Sequence, residues 1–320
     1  MGEVAGAERM AGLLGYSVRV LVTGATGLLG RSLIANAPRE TDLFATSRHA
    51  SSAQFEAPAV PLDLDLLETS ALLGALDSIR PDVIIHAAAE GSVDAVQGHA
   101  DRFAKLNVSV ASQIADWCRV NSCYLVHVSS NAVFGGRSTP YADYDATNPI
   151  NDYGQLKVDA EVAVSSVLPS ALIFRPILMY GWPGPQARTN PVASWVSQLR
   201  MDKSLKIVED VVSQPLACWD AAQAIWRAVD VRSSGPINAS GGESLTLYEF
   251  ALLTAETFEL DTSLISGIQS YELDGLAPRP HCTMFDNKRL TEELAITPLS
   301  PRQGLRVMRL TERSQTKENE

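Results

Sequence analysis

The chain has 320 residues, a formal net charge of −11, a pI near 5.0 and a mean hydropathy of +0.01. This is enough for one large or two closely packed domains. An acidic balance without any Lys/Arg cluster argues against nucleic acid or an anionic membrane as partner. Four scattered cysteines (Cys118, Cys123, Cys218, Cys282) form no CxxC pair and no metal-ligand spacing, so reduced thiols and no metal site are expected. No apolar run is long enough to span a membrane and no signal-peptide pattern opens the chain, so a cytoplasmic protein is expected.

Residues 1–15 are Gly/Ala-rich and 311–320 are polar; both are expected as flexible tails. Between them the first half alternates. Val18–Val22, Asp42–Thr46, Ala59–Leu62, Asp82–His86, Tyr124–Val128 and Ala171–Phe174 read as strands. Helical patterns fall between several of them, at Leu28–Ala37, Glu68–Ile79, Arg102–Val120 and Tyr153–Val167. Apolar strands without polar alternation are covered on both faces. Their alternation with helices predicts an α/β fold with a doubly wound parallel sheet of the Rossmann kind. The second half loses this rhythm: helices are expected near Val192–Leu199, Trp219–Val229 and Leu247–Phe258, with a short strand at Pro236–Ala239. A smaller α/β C-terminal substrate domain is expected over the strand ends. The expected division is 16–175 plus about 212–235 for the dinucleotide-binding domain, and about 176–211 plus 236–310 for the substrate domain.

The segment Thr23-Gly24-Ala25-Thr26-Gly27-Leu28-Leu29-Gly30 joins the first strand to the first helix. Its glycines would allow a tight turn, close backbone approach to a pyrophosphate and close helix packing, with the phosphates at the positive helix end. A plain structural turn is the alternative. The second strand ends in Thr46-Ser47-Arg48-His49, without the carboxylate that would hold a ribose 2′-hydroxyl. Arg48 could hold a 2′-phosphate, so NADPH is preferred to NADH. Asp65-Leu66 suits an adenine contact, and Asp63 competes for that place. Further on, Tyr153 and Lys157 stand four apart, one turn above each other on a helix. An ammonium near a phenol lowers its pKa, which would make the tyrosine a usable acid. The plain alternative for this pair is a solvated helix face.

TGATGLLG, HAAA (His86 to Ala89), Asn107 in RFAKLNVS, VSSNAVFGG, YGQLK and FRPILMYG occur in the order found in extended short-chain dehydrogenase/reductases. With HAAAEGSVDA, NPINDYGQLK and APRPHCTMFDNKRL, the chain resembles the dTDP-4-dehydrorhamnose reductase family within that group, from about Val18 to Arg306. This resemblance implies catalytic residues Ser130, Tyr153 and Lys157, with Asn107 holding a water in support. It implies Ala87, Ala88 and Ala89, with Tyr153 and Lys157, on the cofactor. The expected substrate wall is Ser130, Asn131, Val133, Tyr153, Ile177, Trp182 and Arg279. The implied reaction is NADPH-dependent reduction of the 4-keto group of a nucleotide-linked, dTDP-type, 4-keto-6-deoxy sugar. A homodimer is compatible with it.

Two departures bear on the substrate. Asn131 replaces the acid that sugar 4,6-dehydratases need, which counts against elimination of water. Ile177, Leu178 and Met179 stand where the reductases often carry tryptophan. His86 and His127 read as satisfied core histidines, and core packing is at least as good a reading for Trp182. Arg279, with Lys288 or Arg289, could meet a diphosphate. The chain is also similar to the regulatory beta subunit of methionine adenosyltransferase, which implies an alternative that binds NADP and a partner enzyme without reducing anything. A nucleotide-sugar epimerase is a third reading.

Overall fold

The computed structural model describes residues 17–273 and 275–317; the tail expected at 1–15 lies outside them. Strands β1 (Val18–Thr23), β2 (Thr41–Ser47), β3 (Val60–Asp63), β4 (Val83–His86), β5 (Tyr124–Val128) and β6 (Leu172–Pro176) join a later strand, β11 (Gly235–Ala239), in one sheet. Its order is β11-β6-β5-β4-β1-β2-β3, and every pairing is parallel. The order reverses at β1 and β4, which places a crevice at the carboxyl ends of the central strands. β4 and β5 are buried along their whole length, as their unbroken apolar runs require.

Helices cover both faces. On one side lie α1 (Leu28–Ala35) and a later helix, α6 (Cys218–Val231); on the other lie α2 (Thr69–Ile79), α3 (Val110–Asn121) and α4 (Asp152–Val167). α3 follows a π-helical turn at Lys105–Ser109. α4 is capped by Asn151, whose side chain accepts the Gly154 N–H at 2.7 Å. Besides Gly154, the buried positions of α4 are Tyr153, Leu156, Lys157, Ala160, Glu161 and Val164, the 3–4 spacing of one helix face. Two of these carry full charge, which is why the helix reads as only weakly amphipathic.

The second lobe has its own core. Short strands β7 (Met179–Tyr180) and β10 (Leu216–Ala217) pair in parallel, as do β8 (Leu205–Val208) and β13 (Ile265–Ile268). Trp195, Phe250, Phe258, Leu305 and Met308 fill the space between α5 (Pro191–Leu199), α7 (Leu247–Phe258) and α8 (Pro301–Lys317). Burying a leucine or phenylalanine in such a core contributes about 1.5–3 kcal/mol each.

Two expectations need correction. The strand after Gly235 continues to Ala239 inside the central sheet, so the sheet-bearing unit extends past 235. The polar stretch from Thr311 is not a tail through its described length: it continues α8 to Lys317, because Leu305 and Met308 anchor the preceding turns in the core. Among the described residues no helix is long and apolar enough to cross a membrane.

Candidate active site

The crevice at the switch point is floored by the glycine turn. Gly24 has φ +68°, and a Cβ there would sit 2.9 Å from the Ala88 backbone. The turn therefore packs directly on the segment after β4, and both need small residues. Gly27 occupies the N-cap of α1 and supplies no side-chain acceptor, which leaves the first N–H groups of the helix for a ligand. Ala87, Ala88 and Ala89 follow β4, held by the Thr23 hydroxyl, which accepts the Ala88 N–H at 3.2 Å and contacts His86 Nδ1 at 2.8 Å. Leu29 and Gly30 are buried in α1, while Thr26 and Leu28 are half-exposed at the turn. Bare backbone donors at a helix start, beside a wall of three alanines, fit a dinucleotide pyrophosphate.

At the outer strands Arg48 is exposed just beyond β2, at the sheet edge where a ribose would lie. The two aspartates now differ. Asp63 accepts from the Ser51 N–H at 2.8 Å and from its hydroxyl, so it fixes the Ala50–Ser52 turn. Asp65 is exposed and bonds only its own turn, at Leu67 N–H. Leu66 is buried beneath it.

The candidate catalytic wall is α4 against the end of β5. Gly154 makes the contact possible: a Cβ there would lie 2.2 Å from the Ala132 carbonyl oxygen. Tyr153 is 9% exposed, and Lys157, one turn on, is 3% exposed. The Lys157 ammonium donates to the Val128 carbonyl at 3.0 Å and lies 5.9 Å from the Tyr153 ring centroid. Burial lowers its pKa to about 8, against the pull of the Glu161 carboxylate.

The expected depression of the phenol by Lys157 is not what the structure gives. Burial pushes the Tyr153 phenol up; the neighbouring Ser130 hydroxyl and the charge of Arg188 pull it back, and Glu90 pushes it up. Ser130 also accepts the Ala132 N–H at 3.2 Å, and its hydroxyl reaches the half-buried Asn131 at 3.4 Å.

Asn107 sits in the π-helical turn. Its side chain accepts the Glu90 N–H at 2.8 Å and donates to the Glu90 carbonyl at 3.1 Å. Both ends of the carboxamide thus bond the loop after Ala89. The side chain clamps this loop, with one further acceptor site and one further N–H left over for the expected water.

Of the expected substrate wall, Val133, Ile177 and Trp182 lie elsewhere. Val133 and Ile177 are 0% and 2% exposed and belong to the main core with Phe174 and Phe134. Trp182 donates its indole N–H to the Met308 carbonyl at 2.8 Å and packs edge-on against Phe258. Each follows a motif residue in sequence, yet apolar side chains there find the core before the crevice. Arg279 is at the mouth, paired with Asp94 at 2.7 Å, and this pairing holds the Asp94 carboxyl below its ordinary range. Asn151 also donates to the Pro278 carbonyl at 2.8 Å, tying the cap of α4 to this strap. Arg289 is held instead by Glu293, Ser233 and the Pro236 carbonyl.

Two neighbours of Tyr153 escaped sequence reading. Glu90 follows the three alanines, and its carboxylate accepts the Ser92 N–H at 2.8 Å. Arg188 comes from the second lobe and donates to the Gly91 carbonyl at 2.8 Å. The spacing offered no signal for Arg188, because the contact spans 97 residues. Burial lowers the pKa of His86 to about 3 and keeps both histidines neutral; His86 has its Thr23 partner, whereas neither ring nitrogen of His127 has one among the described residues. Among the described residues there is no cluster of three or more His, Cys, Asp or Glu suited to a metal.

Comparison with known proteins agrees with this geometry. The family model described as RmlD substrate binding domain matches residues 18–313. The chain is 30% identical to a dTDP-4-keto-6-deoxy-D-glucose reductase of Streptomyces niveus, over 88% of this chain and 92% of that one. It is also 30% identical to the methionine adenosyltransferase 2 subunit beta of Bos taurus, over 88% of this chain and 84% of that one. The fold overlays on dTDP-4-dehydrorhamnose reductase of Bacillus anthracis, solved in complex with NADP, with a TM-score of 0.82 at 24% identity, covering 92% of this chain and 99% of that one. The chain belongs to the RmlD substrate binding domain family, within the extended short-chain dehydrogenase/reductases, a group of NAD(P)H-dependent oxidoreductases.

Proposed function

We propose that this protein reduces the 4-keto group of a nucleotide-linked 4-keto-6-deoxy sugar, dTDP-linked in the first instance, with NADPH as reductant and Tyr153 as proton donor. The observation that carries this reading is the buried Tyr153 phenol, near Ser130 and one turn from the buried Lys157, in a chain whose first helix starts from an uncapped glycine turn. Bound NADPH would supply the hydride. Gly24, Gly27 and the start of α1 would hold its pyrophosphate, and Arg48 its 2′-phosphate. Ser130 hydrogen-bonds the ketone oxygen and Tyr153 gives it a proton, so charge developing on that oxygen meets an acid and a donor already in place. Lys157, on the nicotinamide ribose, keeps positive charge beside the phenol. Asn131 supplies no carboxyl for elimination of water, which favours reduction over dehydration. The name and matching identity of the streptomycete reductase support the same reading.

The test is loss of NADPH absorbance on adding dTDP-4-keto-6-deoxyglucose or dTDP-4-dehydrorhamnose. Turnover with either supports the reading, and no turnover over a panel of such ketosugars overturns it. A second reading rests on the methionine adenosyltransferase relatives, which match at the same identity. In that reading the protein binds NADP and a synthetase without reduction. Co-purification with a synthetase, joined to an absence of ketosugar turnover, would favour it.

A further inference from the structure

Behind the catalytic wall lies a charged network that the reaction as described does not use. Glu161 is one turn beyond Lys157 on the buried face of α4. Arg175, on β6, grips it with two bonds, Nε to Oε1 at 2.9 Å and Nη2 to Oε2 at 2.6 Å. Both side chains are under one-tenth exposed. Arg175 Nη1 donates to the Asp143 carbonyl at 3.0 Å, and the guanidinium lies 5.3 Å from the Phe134 ring centroid. The Ser129 hydroxyl donates to the same carboxylate.

A pair this deep is weak evidence for stability alone, since desolvating two ions offsets most of their attraction. Its placement says more. Two consecutive residues at the end of β5 are pinned to successive turns of α4, Val128 by Lys157 and Ser129 by Glu161, and the next residue, Ser130, stands near enough to Tyr153 to lower its pKa. The Glu161 pin limits how far α4 can slide along the end of β5, and so fixes the place of Tyr153 beside Ser130. The charges point the same way. Lys157, Glu161 and Arg175 form a row of plus, minus, plus. Without the carboxylate, the buried ammonium would lose the charge that opposes its desolvation. Arginine keeps its proton under any such strain, so lysine is the group that would give way. The other titratable groups facing Lys157 are His86 and His127, both buried and neutral, and Tyr153.

We propose that Glu161, oriented by the two-toothed grip of Arg175, is a positioning residue that holds Lys157 in its charged form and sets the Ser130–Tyr153 register. In this account the working motif extends from Tyr153 and Lys157 to Glu161 one turn further, completed by an arginine from the next strand. The inference rests on the reductase reading only for its kinetic consequence.

The test follows the Lys157 side-chain carbon resonance through a pH titration of the cofactor-free protein labelled at lysine, alongside the pH profile of ketosugar reduction. In the wild type the resonance should turn over near pH 8. In Glu161→Gln the midpoint and the alkaline limb of reduction should both move to lower pH by about one unit or more. Because Glu161→Gln leaves Arg175 unpaired and could fail to fold, the double variant Glu161→Met with Arg175→Met removes both charges while keeping packing volume. Its midpoint should also fall, since the ammonium has lost the carboxylate that raises its pKa. A wild-type midpoint in either folded variant would overturn the proposal and leave the pair a packing unit. A shifted midpoint in a protein that reduces no ketosugar would keep the positioning role and remove the reductase reading. Ketosugar turnover with an unshifted midpoint would do the reverse.

Discussion

The two walls of the crevice are built on different principles. The wall made by α4 and the end of β5 is buried, and its polar groups are pinned to backbone or to one another: Lys157 to Val128, Glu161 to Arg175, Gly154 against Ala132. The mouth is made by Asp94, Arg188 and Arg279, which are exposed and bond across lobes, with the half-buried Glu90 beside them. Groups pinned in low dielectric keep one geometry, and their pKa values are set by the neighbours fixed around them. Exposed ion pairs exchange partners at little cost. The contrast teaches that, in the proposed reaction, proton chemistry would be set by the deep wall and choice of substrate by residues free to re-pair.

Substitutions should separate the two walls, and the deep one should respond most. Gly154→Ala puts a methyl group into the Ala132 carbonyl, and an overpacked contact of this kind costs about 1–3 kcal/mol. Thermal unfolding should show that loss, and reduction should fall with it as Tyr153 is pushed off Ser130. Unchanged Tm and activity would mean that the close approach is not needed.

The pH response should come next. The folded pKa of Lys157, about 8, lies below its ordinary 10.5. Between those values the unfolded chain binds more protons, so the Lys157 contribution to stability rises as pH climbs from about 8 and is lost as pH falls through that value. The charged ammonium disappears over the same interval. Reduction should therefore decline above about pH 8 while this contribution to stability grows. Parallel activity and denaturation profiles would test whether the two trends diverge; a decline in both would contradict the assignment.

At the mouth the effects should be smaller and dependent on salt. Arg188→Gln removes a charge that eases proton loss from Tyr153, so kcat should fall by several-fold, to about tenfold, with NADPH affinity unchanged. An equal fall at all ionic strengths would argue against an exposed charge as the cause. Arg279→Ala breaks an exposed pair worth no more than about 1 kcal/mol, so Tm should barely move. The KM for the nucleotide sugar should rise while kcat holds; unaltered KM would remove Arg279 from the substrate wall.

Much of the fold was legible in the sequence because its signals are local. A strand, a glycine turn and a helix stand next to each other in the first third, and the cap, the tyrosine and the lysine of α4 fall within seven residues. The site was less legible wherever it depends on distant contacts. Arg175 reaches Glu161 from another strand, Arg188 reaches Gly91 from the other lobe, and Asn107 takes its place from a π-helical turn that no simple period announces. Val133, Ile177 and Trp182 misled for the opposite reason. They stand beside motif residues, but nearness in sequence does not tell an apolar side chain which way to point, and the core claimed all three. The second lobe was only partly read because β8 pairs with a strand almost sixty residues later, through four-residue segments too short to carry a pattern.

Tyr153 remains the residue on which the account stands. The decisive measurement compares wild type and Tyr153→Phe in NADPH binding and in NADPH-dependent reduction of a dTDP-4-keto-6-deoxy sugar. Loss of the general acid should lower kcat by about 10²–10⁴-fold while NADPH binding is retained. A Tyr153→Phe protein that turns over at the wild-type rate would contradict the proton-donor assignment, and with it the reading of this wall as the seat of chemistry.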